Sequence, residues 1–186
     1  MEDNELIEEY LNGDEKSFEK LYEKYKIALF NFIFYMVRDK ELANDLLQEV
    51  FIKVIDNISE YRNENFKAWI FLIARNKIYD YFKSNKTKFE QSNISIDEEV
   101  NGVSYKDILE SEDTPQKILL EKIENEVLYK AIDTLKEEYR EIIYLKHFSQ
   151  LSFQEISKML NIPIGTLLSR FKRAIDKLSE ILLKMQ

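Results

Sequence analysis

The chain contains no cysteine. That excludes disulfides, thiol catalysis and cysteine-ligated zinc, and it fits a reducing compartment such as the cytoplasm. Glycine occurs three times and proline twice in 186 residues, too few for the turns of a large sheet or for a Gly-rich phosphate loop. No apolar run approaches the roughly 20 residues that a membrane-spanning helix needs. The opening MEDNELIEEY is acidic and polar, unlike a signal peptide. His147 is the one histidine, and a lone histidine is more often structural than a ligand or base. No nucleophile stands beside a base and no residues have metal-ligand spacing, so the sequence predicts no enzyme, no metal and no cofactor. What remains is an all-α protein.

The formal net charge of −8 argues against a nucleic-acid partner until its distribution is followed. Residues 1–58 hold 7 basic and 14 acidic side chains, and 91–118 hold 2 and 7. Residues 59–90 hold 7 basic against 4 acidic, and 119–186 hold 11 against 10. Two acidic blocks therefore carry the negative total, and two stretches are locally positive. Phosphate attraction acts over a Debye length of about 10 Å, so the local balance counts for more than the sum. The same arithmetic predicts weak DNA binding by the chain alone.

Apolar periodicity divides the chain. Leu6–Leu11 reads as a short helix. Asp14 suits the N-cap of a second, with Phe18, Leu21, Tyr22, Tyr25, Leu29, Phe32, Ile33 and Met36 on one broad face. Asp39 opens a third, in which Leu42, Ala43, Leu46, Leu47, Val50, Phe51, Val54 and Ile55 recur every three or four residues. Tyr61–Asn65 is a polar break. A fourth helix is expected from Phe66 to about Ser84, with Trp69, Ile70, Ile73, Ala74, Ile78 and Phe82 apolar. Periodicity then lapses from Thr87 to Gln116, a polar and acidic stretch that reads as a flexible linker. Helix resumes at Pro115, a suitable first residue after Thr114, and a further helix is expected over Tyr139–His147. The division is a helical domain over 1–86, a linker over 87–116 and a second helical domain over 117–186.

Within the second domain, LSFQEISKMLNIPIGTLLSRFKRAIDKL (Leu151–Leu178) reads as two short helices and a tight turn. Phe153, Ile156 and Leu160 share one helical face. Pro163 cannot continue that helix and restricts Ile162 before it. Ile164, Leu167, Leu168, Phe171, Ile175 and Leu178 begin a second stripe, with Thr166, Ser169, Arg170 and Arg173 off it or at its edge. A polar, basic face on the second of two such helices suits a DNA major groove.

Two separated segments resemble one family. DLLQEVFIKV (Asp45–Val54) followed by FKAWIFLIARNKIYDYF (Phe66–Phe82) resembles region 2 of bacterial RNA polymerase sigma factors of the extracytoplasmic-function group. AIDTLKEEYREIIYLKHFSQLSFQEISKMLNIPIGTLLSRFKRAIDKL (Ala131–Leu178) resembles their region 4. The order of the segments, the acidic linker and the length also match that group. The resemblance implies two helical domains, core RNA polymerase and promoter DNA as partners, and an anti-sigma factor, often membrane-anchored, that holds such proteins inactive.

On the helix after Asp39, Asp45, Gln48, Glu49 and Lys53 lie opposite the apolar stripe. By spacing alone they form a solvated face; the resemblance makes Asp45, Gln48, Glu49 and Phe51 polymerase contacts, although the position of Phe51 suits the core equally. Around the polar break, Tyr61, Phe66, Trp69, Tyr79 and Tyr81 alternate with Arg62, Lys67, Arg75, Lys77 and Lys83. Aromatic faces that stack extruded bases and cations that hold phosphates are what a melted strand requires. Spacing assigns Trp69 and Phe82 to the core. The resemblance implies that Tyr61, Arg62, Asn63 and Phe66 capture a flipped base of the −10 element, and that Arg75, Asn76, Tyr79, Asp80 and Lys83 read its neighbours and backbone. In region 4 it implies that Thr166, Ser169, Arg170, Lys172 and Arg173 face the −35 element and that Arg140 clamps a phosphate.

Two positions depart from the family pattern. Leu168 stands where lysine or arginine is frequent, and Lys136 where proline is common. The expected function is promoter selection and strand opening by a polymerase-bound initiation factor. A stand-alone helix-turn-helix regulator would account for Leu151–Leu178 but not for Asp45–Phe82. A helical adaptor without DNA contact would need neither basic stretch.

Overall fold

The computed structural model describes residues 2–62, 65–92 and 127–185. Every element among them is helical. Asn63, residues 93–116 of the expected linker, and the expected helix start at Pro115 lie outside the described residues. The chain divides into two compact units, Met1–Glu98 with Tyr144–Ile162, and Glu99–Ile143 with Pro163–Gln186.

The first unit begins with α1 (Asp3–Leu11) and α2 (Glu15–Val37). Glu2 and Glu5 close a capping box at the start of α1, satisfying amide groups that the first turn leaves without partners. Asp14 caps α2 as its sequence position predicts, accepting from the Lys16 amide at 3.1 Å. The Tyr25 hydroxyl of α2 donates to Asp3, and Lys24 pairs with the other oxygen of the same carboxylate. Burial and the neighbouring Asp3 hold the Tyr25 phenol above its ordinary pKa, so it stays a donor. Arg38 ends α2 in the left-handed conformation, with φ 60°.

Asp39 accepts from the Leu42 amide at 3.0 Å and starts α3 (Lys40–Asn57). Ala43, Leu46, Leu47, Val50, Phe51 and Val54 are buried along it, the three- and four-residue spacing expected of one helix face. A 3-10 turn (Ile58–Glu60) leads to extended Tyr61. Asn65 then accepts from the Ala68 amide at 3.0 Å and caps α4 (Phe66–Ser92). Phe66, Ile70, Phe71, Ala74 and Ile78 are buried on α4, and the Phe71 ring meets Phe32 of α2 at 5.6 Å between centroids. α4 continues to Ser92, eight residues past the sequence expectation. The apolar repeat ends near Phe82, but no glycine or proline interrupts the chain before Gly102, so nothing local stops the helix.

Helix is present over 127–133 (α5), and α6 (Glu137–Tyr144) follows. The Lys136 carbonyl accepts from the Tyr139 and Arg140 amides, at 2.9 and 3.1 Å. Lys136 therefore serves the start of α6 without the proline common at that position. The helix widens into a π turn (Leu145–Ser149) and stops at left-handed Gln150. α7 (Phe153–Leu160) is capped by Ser152, whose hydroxyl accepts from the Glu155 amide while the Glu155 carboxylate accepts from the Ser152 amide. Asn161, with φ 52°, closes α7 and Pro163 precedes α8 (Ile164–Met185), as the Asn-Ile-Pro sequence predicts.

The spatial division differs from the one drawn along the sequence. Tyr144–Ile162, expected in the second domain, packs with the first unit. Within that unit the Tyr144 hydroxyl accepts from Arg38 Nη2 at 2.7 Å. In the second unit Ala131, Ile132, Leu135, Tyr139, Ile142, Leu167, Ala174 and Leu178 are buried. Ile164, Leu168 and Ile175, expected on the apolar stripe of α8, are about two-fifths exposed.

Candidate nucleic-acid interface

Along α3, Asp45, Gln48 and Glu49 are exposed, as expected, together with Ile52, Lys53 and Asp56. Glu49 pairs with Lys77 of α4 at 2.8 Å. Both side chains reach solvent, so the pair contributes little stability, of order 0–1 kcal/mol. Phe51 does not share this face. It is buried, with the rings of Tyr22 at 4.7 Å and Phe18 at 6.3 Å. Of its two open assignments, the structure takes the core one; Phe51 supports the polar face from beneath.

The polar break and the first turn of α4 build an aromatic cleft. The centroid of Tyr61 lies 5.2 Å from Trp69 and 5.6 Å from Phe66, and Phe66 lies 5.7 Å from Trp69. Phe66 is 3% exposed and rests on Tyr25 at 5.6 Å, so it is packed behind Tyr61 and Trp69 and is not a free stacking surface. Trp69, assigned to the core by spacing, is only half-buried and forms a wall. Phe82, also assigned to the core, is exposed. The helical period is the same for a core residue and a cleft residue one position along the rim, so spacing could not separate them.

The cleft has a volume of about 750 Å³. Glu60, Tyr61, Arg62, Asn65, Ala68, Trp69 and Leu72 line it on one side, and Glu155, Lys158 and Met159 of α7 on the other. Asn65 Nδ2 donates to Glu155 Oε1 at 2.6 Å. The Ser152 cap, then Asn65 and the charge of Lys67, hold the Glu155 carboxyl below its ordinary pKa, so it is an anion at neutral pH. Sequence reasoning missed Asn65, Glu155, Lys158 and Met159. Glu155 belongs to the capping box of α7, and its bond to Asn65 depends on the fold.

Beyond the cleft, Arg75, Asn76, Tyr79, Asp80 and Lys83 lie at exposed or half-buried positions of α4. The Arg75 guanidinium sits 4.5 Å from the centre of the Tyr79 ring, an arrangement that stiffens a cation on an aromatic face.

In the second unit, Thr166, Ser169, Lys172 and Arg173 are exposed on α8, and Arg170 is half-buried. The Ser169 hydroxyl donates to the Thr166 carbonyl at 2.9 Å, and Arg170 Nε lies 3.7 Å from Glu138. That separation is a loose ion pair, which leaves Arg170 able to change partner. Leu168 is 43% exposed on the same helix, an aliphatic side chain amid the polar ones. Arg140 is half-buried; it donates to the Asp133 carbonyl at 3.4 Å, and its Nε is buried. Among the described residues no group of three or more acidic or histidine side chains could hold a metal ion, and no helix is long and apolar enough to cross a membrane. His147 lies edge-on to Phe148 at 4.7 Å.

The Sigma-70 region 2 family matches residues 21–88, and the Sigma-70 region 4 family matches residues 125–178. The ECF RNA polymerase sigma factor SigX of Bacillus subtilis is 30% identical over 147 residues, which are 78% of this chain and 73% of SigX. The ECF RNA polymerase sigma factor BldN of Streptomyces coelicolor is 29% identical over 180 residues; these are 96% of this chain but only 65% of that longer relative. Among solved structures, the sigma factor RpoE crystallised with the anti-sigma factor NepR from Bartonella quintana aligns with a TM-score of 0.69 at 25% identity. That alignment covers 90% of this chain and 97% of RpoE.

Proposed function

The chain belongs to the ECF group of sigma-70 factors, alternative sigma factors for transcription initiation, and on that premise we propose how its surfaces divide the work. The exposed α3 face of Asp45, Gln48 and Glu49 docks on core RNA polymerase. Residues 1–86 act as region 2, 117–186 as region 4, and the acidic 87–116 stretch connects them through basic channels of the polymerase. Tyr61 and Trp69 stack an extruded base of the −10 strand. Arg62, Asn63, Arg75, Asn76, Tyr79, Asp80 and Lys83 bind its neighbours and backbone. Thr166, Ser169, Arg170, Lys172 and Arg173 read the −35 element. The protein is a cytoplasmic initiation factor and not an enzyme, restrained by an anti-sigma factor comparable in role to the one captured with RpoE.

The observation that carries this reading is the half-buried Tyr61–Trp69 pair, 5.2 Å between centroids, at the head of a helix with exposed cationic rungs. Duplex reading alone has no use for such a cleft, whereas strand capture requires one. Gel shifts on promoter DNA with and without core polymerase test the reading. Specific binding is expected only with polymerase; tight, specific duplex binding by the isolated chain would favour a stand-alone regulator instead.

A further inference from the structure

We infer that Leu168 is a base-reading residue of α8, placed to select a thymine of the −35 element through the methyl group of that base. The inference rests on the −35 reading proposed above for this helix. An exposed leucine is ordinary on a protein surface; the position of this one is not. Leu168 stands in the second turn of α8, two-fifths exposed, with exposed Thr166, Ser169 and Lys172 around it in sequence. On a helix laid in the major groove, residues near the N-terminus are those that reach base edges. Helical side chains lean back over the preceding turn, which for Leu168 is the turn of Ile164 and Gly165.

That turn leaves the leucine open. A Cβ at Gly165 would meet no heavy atom within 4 Å among the described residues, and the Gly165 backbone is not left-handed. Glycine weakens a helix, yet neither packing nor conformation calls for it here; what it permits is close approach by a partner. Ile164, also two-fifths exposed, extends the apolar spot one turn earlier. The polar neighbours have nothing to offer a methyl group. The Ser169 hydroxyl donates its hydrogen to the Thr166 carbonyl at 2.9 Å, and the Lys172 ammonium is a hydrogen-bond donor only. Among the four bases thymine presents a methyl in the major groove, and apolar side chains are its partners there. Covering that methyl with leucine is worth about fourfold in affinity.

Uracil pairs as thymine does but lacks the methyl, which gives a direct test. Holoenzyme of core polymerase and the full chain first selects its −35 element from a duplex library. Each thymine of that element is then replaced singly by deoxyuridine, and competition binding is measured. With the unsubstituted chain, one replacement should weaken binding about fourfold. With Leu168→Ala the same replacement should matter by less than about twofold, at unchanged helix content by circular dichroism. Leu168→Gln, similar in size but polar, is read in the same way if the alanine variant does not fold. Leu168→Met keeps an apolar side chain and should keep the sensitivity. A selected element without thymine, no uracil penalty with the unsubstituted chain, or a penalty unchanged in the alanine or glutamine variant overturns the inference and leaves the −35 reading standing. Selection of no −35 element at all refutes that reading, and the inference with it.

Discussion

Asn65 and Glu155 are ninety positions apart in the chain and 2.6 Å apart in space. Asn65 also caps α4 through its other side-chain atom, and Glu155 completes the cap of α7. One hydrogen bond thus joins the starts of two helices, and both residues line the cleft of Tyr61 and Trp69.

The acid limb of stability should depend on Glu155. Its carboxyl pKa is lowered in the folded chain, first by the Ser152 cap and then by Asn65 and Lys67. At pH values between the folded and ordinary values the unfolded chain therefore binds more protons. The contribution is present above the ordinary glutamate pKa and is lost as pH falls through the lowered one. Glu155→Gln, which can still cap, should flatten that acid-side loss. Urea midpoints measured from neutral pH downward check this; a slope equal to that of the unsubstituted chain would refute it.

Replacing Tyr61 by alanine should impair strand opening and spare −35 binding. A base stacked on an aromatic side chain is worth about 1–3 kcal/mol, a loss of roughly 5- to 150-fold in capture of the melted strand. Permanganate footprinting of the −10 region with holoenzyme measures it. Tyr61 is half-buried, so thermal stability should fall less than for loss of a core ring.

Glu49 and Phe51 are two residues apart and should fail differently. Glu49→Lys should weaken affinity for core polymerase with a change in stability of order 1 kcal/mol or less, because the Lys77 pair is solvent-exposed. Phe51→Ala should cost about 3–5 kcal/mol of stability, the usual range for a buried aromatic ring. At a temperature where this variant is still folded, its affinity for polymerase should stay near that of the unsubstituted chain. Denaturation curves and a polymerase titration separate the two effects.

Arg170→Ala should relax preference at one position of the −35 element by about 1–3 kcal/mol if its guanidinium bonds a guanine edge. The 3.7 Å pair with Glu138 is too long to make the substitution structurally expensive. Competition binding of holoenzyme to promoters varied base by base checks it. A uniform loss across all sequences, with a shallower salt dependence, would assign Arg170 to phosphate instead.

Local signals predicted much of this architecture. Asp14 and Asp39 cap their helices with short-range bonds that a reader of the sequence can anticipate, and Asn161 and Pro163 end α7 for equally local reasons. The positions of Leu46, Val50 and Val54 follow from the helical period. Phe51 lies in the core, as that period allows, whereas Trp69 and Phe82 did not yield to it, since one helical turn presents core, rim and solvent within a few residues. The placement of Tyr144–Ile162 with the first unit was not legible either, because Arg38–Tyr144 and Asn65–Glu155 are long-range pairs with no trace in local pattern. The basic face of α8 was legible as chemistry, whereas the bond of Arg140 to the Asp133 carbonyl and its buried Nε are products of packing.

The most direct measurement is run-off transcription of a promoter library by core polymerase with and without this chain, followed by sequencing of the initiating templates. The account predicts chain-dependent initiation from templates that share a −35 and a −10 element, lost from the −10 side with Tyr61→Ala and from the −35 side with Arg170→Ala. Template choice identical to that of core polymerase alone would contradict it.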